Sequence, residues 1–221
     1  PYLLNVMPGE GGYPTTVEIT LPASMTAIPF GTSEAEVIAE HGDSTKTWRY
    51  THNRTGGILY AGDYIREDIQ AGGITVAFYY GRKHQAVMEA AGAADAVKAV
   101  VSYCTQHYGF PSAFSATGTL KLIQSRVAGG GYAGEGASLL DEADFTAANL
   151  GNTSKGAVPG ETFIHELVHQ WWGLGNMFDV TDETSPWSSE GLTVYTTYRI
   201  VKELYGEDYA REHYVDQWQQ A

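Results

Sequence analysis

Short runs of β-branched and aromatic residues recur through the first third of the chain. Thr15–Leu21, Thr45–Tyr50, Ile58–Ala61 and Ile74–Tyr80 are the clearest, separated by Pro22, Pro29, Gly31, Gly56-Gly57 and Gly72-Gly73. Strand-forming runs with that punctuation predict an antiparallel β-sandwich, or part of one. From about residue 85 the period changes. Ala94, Val97, Val101, Cys104 and Tyr108 fall three or four apart, the spacing of one helix face, and Gly109 with Pro111 supplies a stop. A strand follows at Leu120–Ile123, then the glycine-rich run Ala128–Gly136. That run is no dinucleotide-binding loop, because nothing shaped like a helix follows it within a βαβ unit. Three further helices are expected, at 160–172, from Ser185-Pro186 to before Gly206, and at 207–219. Ser185 and Pro186 make a good cap and first turn for the second.

Composition narrows the functional classes. The 221 residues suffice for one or two domains with a sizeable core. At 43% hydrophobic and 18% charged, the chain lies far from the composition of disordered segments. Its 26 acidic against 13 basic residues, net −13, argue against a phosphate-binding surface and with it against nucleic acid as a partner. The single Cys104 excludes an internal disulfide or a multi-cysteine metal cluster, and its apolar register makes it a core residue. No run approaches the roughly 18 apolar residues of a membrane span, and no signal-peptide pattern follows Pro1. A chain that starts at Pro1 and stops at Ala221 within a polar run reads as a piece of something longer.

Chemistry concentrates in Glu161-Thr-Phe-Ile-His-Glu-Leu-Val-His-Gln-Trp-Trp-Gly173. His165 and His169 are four apart, so on a helix they stack on one face and can reach a single cation. Glu166, about 100° further round, can reach a metal-bound water without being a ligand. Phe163, Ile164, Leu167, Val168, Trp171 and Trp172 cover the other faces. A helix apolar nearly all round is buried, and burying two histidines and a glutamate without partners is costly. A catalytic zinc takes three protein ligands and keeps a fourth position for water. Glu190, opening the next helix, is the best candidate for the third; Asp179, Asp182 and Glu183 in the polar connection are the rivals. Trp187, Val194, Tyr198 and Val201 are expected to pack that helix against its neighbour.

The pair of segments His-Glu-Leu-Val-His-Gln-Trp-Trp-Gly and Ser-Glu-Gly-Leu-Thr-Val-Tyr resembles the gluzincin zinc metallopeptidases related to aminopeptidase N and leukotriene hydrolase. Pro14 to Tyr80, including Ala61-Gly62-Asp63-Tyr64, is similar to the last part of that family's β-rich N-terminal domain. The chain from about Ala90 is similar to the first part of its thermolysin-like catalytic domain. The resemblance implies an α+β chain: a partial antiparallel β-sandwich over 1–84, then a truncated, mainly helical zinc metallopeptidase domain over 85–221. It implies one zinc ion on His165, His169 and Glu190, with Glu166 as general base.

Three departures qualify the likeness. Twenty residues separate His169 from Glu190, two more than is usual in the family, and the extra ones fit at Gly173–Asn176. The family's exopeptidase motif Gly-Ala-Met-Glu-Asn is absent; in its place, within Gly129–Gly136, only Glu135 could anchor a substrate amine. The tyrosine that steadies the tetrahedral intermediate would fall beyond Ala221, since Tyr195 and Tyr198 read as core packing on the Glu190 helix.

The expected function is zinc-dependent peptide hydrolysis of an aminopeptidase-like kind, with this piece poorly active alone and peptide as its partner. The alternatives are a gluzincin endopeptidase, or a zinc-bearing, weakly catalytic peptide-sensing ectodomain of a membrane-attached parent. The last would stand on a bacterial extracytoplasmic face; a cytoplasmic location is the other option.

Overall fold

The computed structural model describes residues 4–5, 14–52, 58–111, 118–126, 131–146, 161–174 and 187–220. Strands β1 (Leu4–Asn5), β2 (Thr15–Pro22), β3 (Thr26–Pro29), β4 (Glu36–His41), β5 (Thr45–His52) and β6 (Ile58–Gly62) come first. They form two three-stranded antiparallel sheets, ordered β1-β6-β3 and β2-β5-β4. In β2 the side chains alternate, with Val17, Ile19 and Leu21 turned inward and Thr16, Glu18 and Thr20 exposed. Leu21, Ala27, Tyr50, Leu59 and Ala61, drawn from both sheets, share one core. This is the expected antiparallel β layer.

The strands β7 (Tyr64–Ala71), β8 (Ile74–Gly81), β9 (Thr119–Ser125), β10 (Gly131–Gly134) and β11 (Ala137–Asp141) make a five-stranded sheet ordered β10-β11-β9-β8-β7. Its centre is parallel, β8 to β9 to β11, and its two edges are antiparallel. Parallel neighbours need a crossover, and α1 (Gln85–Ala91) and α2 (Ala93–Tyr108) supply it between β8 and β9. One face of the sheet, with Val76, Phe78, Leu120 and Leu122, packs on Val97, Val101 and Cys104 of α2. Phe163, Ile164 and Leu167 of α3 (Glu161–Val168) and Ile200 and Val201 of α4 (Leu192–Tyr205) join the same core. The opposite face, with Ala77, Tyr79 and Ile123, packs on Ile28 and Tyr60 of the β layer. Burial on both faces explains why β8 is apolar almost without a break, while β9 is as deeply buried but carries the polar Lys121, Gln124 and Ser125.

That sheet runs straight across the expected division at residue 84/85. β8 and β9 lie on either side of it and are hydrogen-bonded neighbours from Thr75↔Thr119 to Tyr79↔Ile123. The change in composition there coincides with β8 giving way to the crossover helices α1 and α2. The long helix ends where expected, at Gly109, whose φ of +80° suits glycine. The helix expected over 160–172 is α-helical over Glu161–Val168 and then tightens, as Gln170 and Trp171 N–H donate to the carbonyls three residues back. The last expected helix runs from Glu207 to Trp218 with a π-helical turn at Arg211–Val215. Cys104 is buried as expected, and burial pushes its thiol up. Among the described residues no helix is long and apolar enough to cross a membrane.

Phe78 is fully buried and meets Tyr80, Phe145 and Phe163 edge-on at centroid distances of 5.4, 6.2 and 5.4 Å. Phe78→Ala is expected to cost about 3–5 kcal/mol of stability, and Phe78→Leu much less. Urea unfolding of the two variants checks this; equal, small losses would contradict the layered core.

Candidate metal centre

Helix α3 buries Phe163, Ile164, Leu167 and Val168, and this fixes which way its polar residues face. His165 and His169 then point the same way, with rings 4.8 Å apart and nearly perpendicular at 86°. Their Nε2 atoms approach to 3.2 Å. Glu190 comes from a π-helical turn, Trp187–Gly191, that leads into α4. Its carboxylate oxygens lie 3.2 Å from His165 Nε2 and 3.4 Å from His169 Nε2. One donor atom from each of the three residues falls within 4.8 Å of the others.

The imidazole tautomer follows from its surroundings. His169 Nδ1 lies 3.2 Å from the Trp172 carbonyl, which only accepts, so Nδ1 carries the proton and Nε2 presents a lone pair. Thr193 Oγ1 lies 3.2 Å from the same Nδ1 and completes the support. Burial, and then the neighbouring His169, hold the His165 pKa below its ordinary 6.5 despite the pull of Glu190. Two imidazole Nε2 atoms and a carboxylate converge at 3.2–3.4 Å, a spacing at which either a shared proton or a bound cation holds them together. The donor set suits zinc.

Glu166 stands beside this cluster. Its carboxyl is buried, and desolvation, reinforced by the Glu190 charge, pushes its pKa up to about 7. Gly131 of β10 lies so close that a Cβ there would sit 2.3 Å from Glu166 Cδ, so any larger residue would push the Glu166 side chain from its place. Gly173 is constrained twice: its φ is +86°, and a Cβ would meet Ser189 Oγ at 2.3 Å. A cavity of about 300 Å³ opens over the cluster, lined by Gly131, Tyr132, Ala133, His165, Glu166, His169, Gly173, Leu174, Ser189 and Glu190. A second cavity of about 300 Å³ is bordered by Arg82, Lys83 and Arg126, but its cations are already engaged. Lys83 and Arg126 pair with Glu142, and Arg82 pairs with Asp63.

The structure therefore brings His165, Glu166, His169 and Glu190 to one cavity and leaves Glu135 outside it. Glu135 is exposed in the turn between β10 and β11, while the strand before it, Gly131–Ala133, forms the cavity wall. Asp179, Asp182 and Glu183, and the expected helix start at Ser185-Pro186, lie outside the described residues. Val201 is buried, but Trp187 is 58% exposed rather than packed, and Tyr195 is exposed too. Tyr198 packs among Tyr214 and Trp218. Sequence reasoning missed the roles of Gly131, Gln170 and Thr193. The triple glycine ahead of Tyr132 was the available signal for a close approach of backbone.

Solved structures share this arrangement of elements. A two-domain M1 zinc metallopeptidase with bound L-arginine matches over 93% of this chain and 44% of its own, at 20% identity and a TM-score of 0.58. An M1 zinc metallopeptidase from Deinococcus radiodurans matches over 93% and 44%, at 19% identity and 0.54. Leukotriene A4 hydrolase from Saccharomyces cerevisiae matches over 90% and 30%, at 14% identity and 0.55. The chain has the fold of the M1 zinc metallopeptidases. At these identities the likeness is one of fold, and the chain spans less than half the length of the proteins that share it. No family model and no curated relative matches the sequence.

The raised pKa of Glu166 sets a pH dependence for the M1-type fold without metal. Below about pH 4.5 the carboxyl is protonated folded or unfolded; between 4.5 and about 7 only the folded chain keeps its proton. Stability of chelator-treated protein should therefore fall as pH rises through that window, and Glu166→Gln should flatten the fall. Unfolding midpoints at the two ends of the window, for both proteins, test this; parallel profiles would refute it.

Proposed function

We propose that this chain is the zinc-bearing part of a peptide hydrolase, with His165, His169 and Glu190 holding one zinc ion and Glu166 acting as general base. The observation that carries the reading is the convergence of two imidazole Nε2 atoms and a carboxylate at 3.2–3.4 Å, beside a second, buried carboxyl, that of Glu166, in the same cavity. A zinc ion there supplies Lewis acidity, polarising a carbonyl and lowering the pKa of water to near 7. Glu166 would take the proton of the attacking water and return it to the departing amine. Trp172 and Thr193 hold the His169 ring so that Nε2 faces the cavity. Leu174 and the Gly131–Ala133 backbone bound the space where a peptide would lie.

Peptide as the substrate class is supported by the M1 structures with L-arginine, L-tryptophan or Tyr-Ser-Ala bound. Within this reading the β layer up to Gly62 is one unit, and the five-stranded sheet with its helices begins a thermolysin-like domain. The position of Glu135 in the hairpin turn, off the cavity wall, favours a second reading in which internal peptide bonds are cut in place of amino-terminal ones.

Purified protein should bind one zinc per chain, and His165→Ala, His169→Ala or Glu190→Ala should each weaken that binding at least about tenfold. Glu166→Gln should keep the metal and lose about 10²–10⁴-fold in kcat on a fluorogenic peptide library. Metal analysis and the library digest decide the matter. Absent zinc, or full turnover by Glu166→Gln, would sink the reading, and internal cleavage sites would select the endopeptidase form. Tight peptide binding without cleavage would identify a binding module.

A further inference from the structure

The cavity wall β10 is an edge strand of four residues, two of them glycine, with little side-chain packing of its own. It is nonetheless gripped from two directions. From the metal side, Gln170 follows His169 directly and is 1% exposed. Its Oε1 accepts from Gly136 N–H at 2.9 Å, and its Nε2 donates to the Gly134 carbonyl at 2.9 Å and to Ser138 Oγ at 3.2 Å. Acceptor and both donors are thus spent on the hairpin. Ser138 Oγ in turn donates to the Glu166 carbonyl at 2.7 Å, a second tie between hairpin and α3.

From the opposite side comes the segment after β3. The Phe30 ring fills the space that a Cβ on Gly134 would need, at 2.4 Å, and lies 6.0 Å from the Tyr132 ring. Thr32 Cγ2 does the same beside Gly136, at 2.6 Å. Lys121 of β9 holds that segment in place. Its ammonium donates to the carbonyls of Pro29 and Gly31 at 3.1 Å each and to that of Ser33, with the Glu34 carboxylate 3.6 Å away. Three donors meet three carbonyls, so the ammonium is spent as fully as the Gln170 amide. Lys121 is 1% exposed, and burial brings its pKa down to about 8, which leaves it charged near neutrality. A lysine is buried at this depth only where such partners offset the desolvation.

We propose that Gln170 and Lys121 are positioning residues for the cavity: together they clamp the β10–β11 hairpin and so fix the wall against which a substrate is held, without touching it. The inference rests on the hydrolase reading for its kinetic consequence, and on geometry alone for the clamp. Neither side chain meets a metal ligand's donor atoms, so removing either leaves the zinc site whole and loosens the wall.

The test compares Lys121→Met, Gln170→Leu and the milder Gln170→Glu with wild type and with Phe78→Leu, a core variant outside the clamp. Zinc content should stay at the wild-type level in all of them. Amide hydrogen exchange over 131–136 should quicken in the clamp variants and not in Phe78→Leu. On peptide substrate KM should rise about tenfold in Lys121→Met and Gln170→Leu, with kcat within about threefold, because binding contacts are lost more than chemistry. Unchanged exchange over 131–136 overturns the clamp. A fall in kcat that tracks the folded fraction, with KM unchanged, overturns the positioning role. If the wild type cleaves no peptide, the hydrolase reading fails, while the exchange comparison still decides the clamp. Should Lys121→Met or Gln170→Leu fail to fold, Gln170→Glu carries both measurements, since it keeps the acceptor for Gly136 and loses the donor to Gly134.

Discussion

A helix that buries its apolar faces also carries His165, Glu166 and His169 out of bulk water, and most of the surrounding structure answers that cost. The imidazoles are met by Glu190 and the Trp172 carbonyl, and the Glu166 carboxyl, packed against Gly131, answers its burial with a raised pKa. Removing one answer leaves a desolvated group unpaired, and this is far costlier than never having buried it. The cluster is consequently organised by electrostatics first and by shape second.

The layers behind the helix give it a fixed platform. Because the five-stranded sheet is covered by helices on one face and by the β layer on the other, its central strands have no freedom to slide. α3 packs on that sheet and α4 on α3, so the distance between His169 and Glu190 is set by core packing. The same arrangement makes the β layer more than a neighbour. Through Lys121 and Phe30 it reaches the edge strand that borders the cavity.

The site was legible in the sequence because its spacing is local. Residues four apart share a helix face whatever the fold, and a glutamate opening the next helix is a short-range feature too. Strands β2, β5, β6 and β8 were legible for the same reason, through alternation or continuous apolar runs. β7 was not: Tyr64–Ala71 holds Arg66, Asp68 and Gln70 on the exposed face of an edge strand, and Glu67 interrupts the other face. β10 has almost no side chains to form a pattern. The pairing of β8 with β9 spans a whole crossover and could not be read from either segment. The placing of Glu135 in the hairpin turn was not legible for a related reason. Which residues of a glycine-rich hairpin face a cavity depends on strand register, and no residue type announced it.

The turn that carries Glu190 has a wider meaning. A π-helical turn is what remains when a helix accommodates one residue more than its α-helical length allows. Placed just ahead of α4, it separates two azimuths that an unbroken α-helix would lock together: that of the carboxylate and that of the buried face formed by Thr193, Thr197, Ile200 and Val201. Insertions and deletions before α4 can be absorbed there as a change of winding. The core face stays seated while the acid swings. The direction of the Glu190 carboxylate thus depends on the winding of this turn as well as on the packing that anchors the helix.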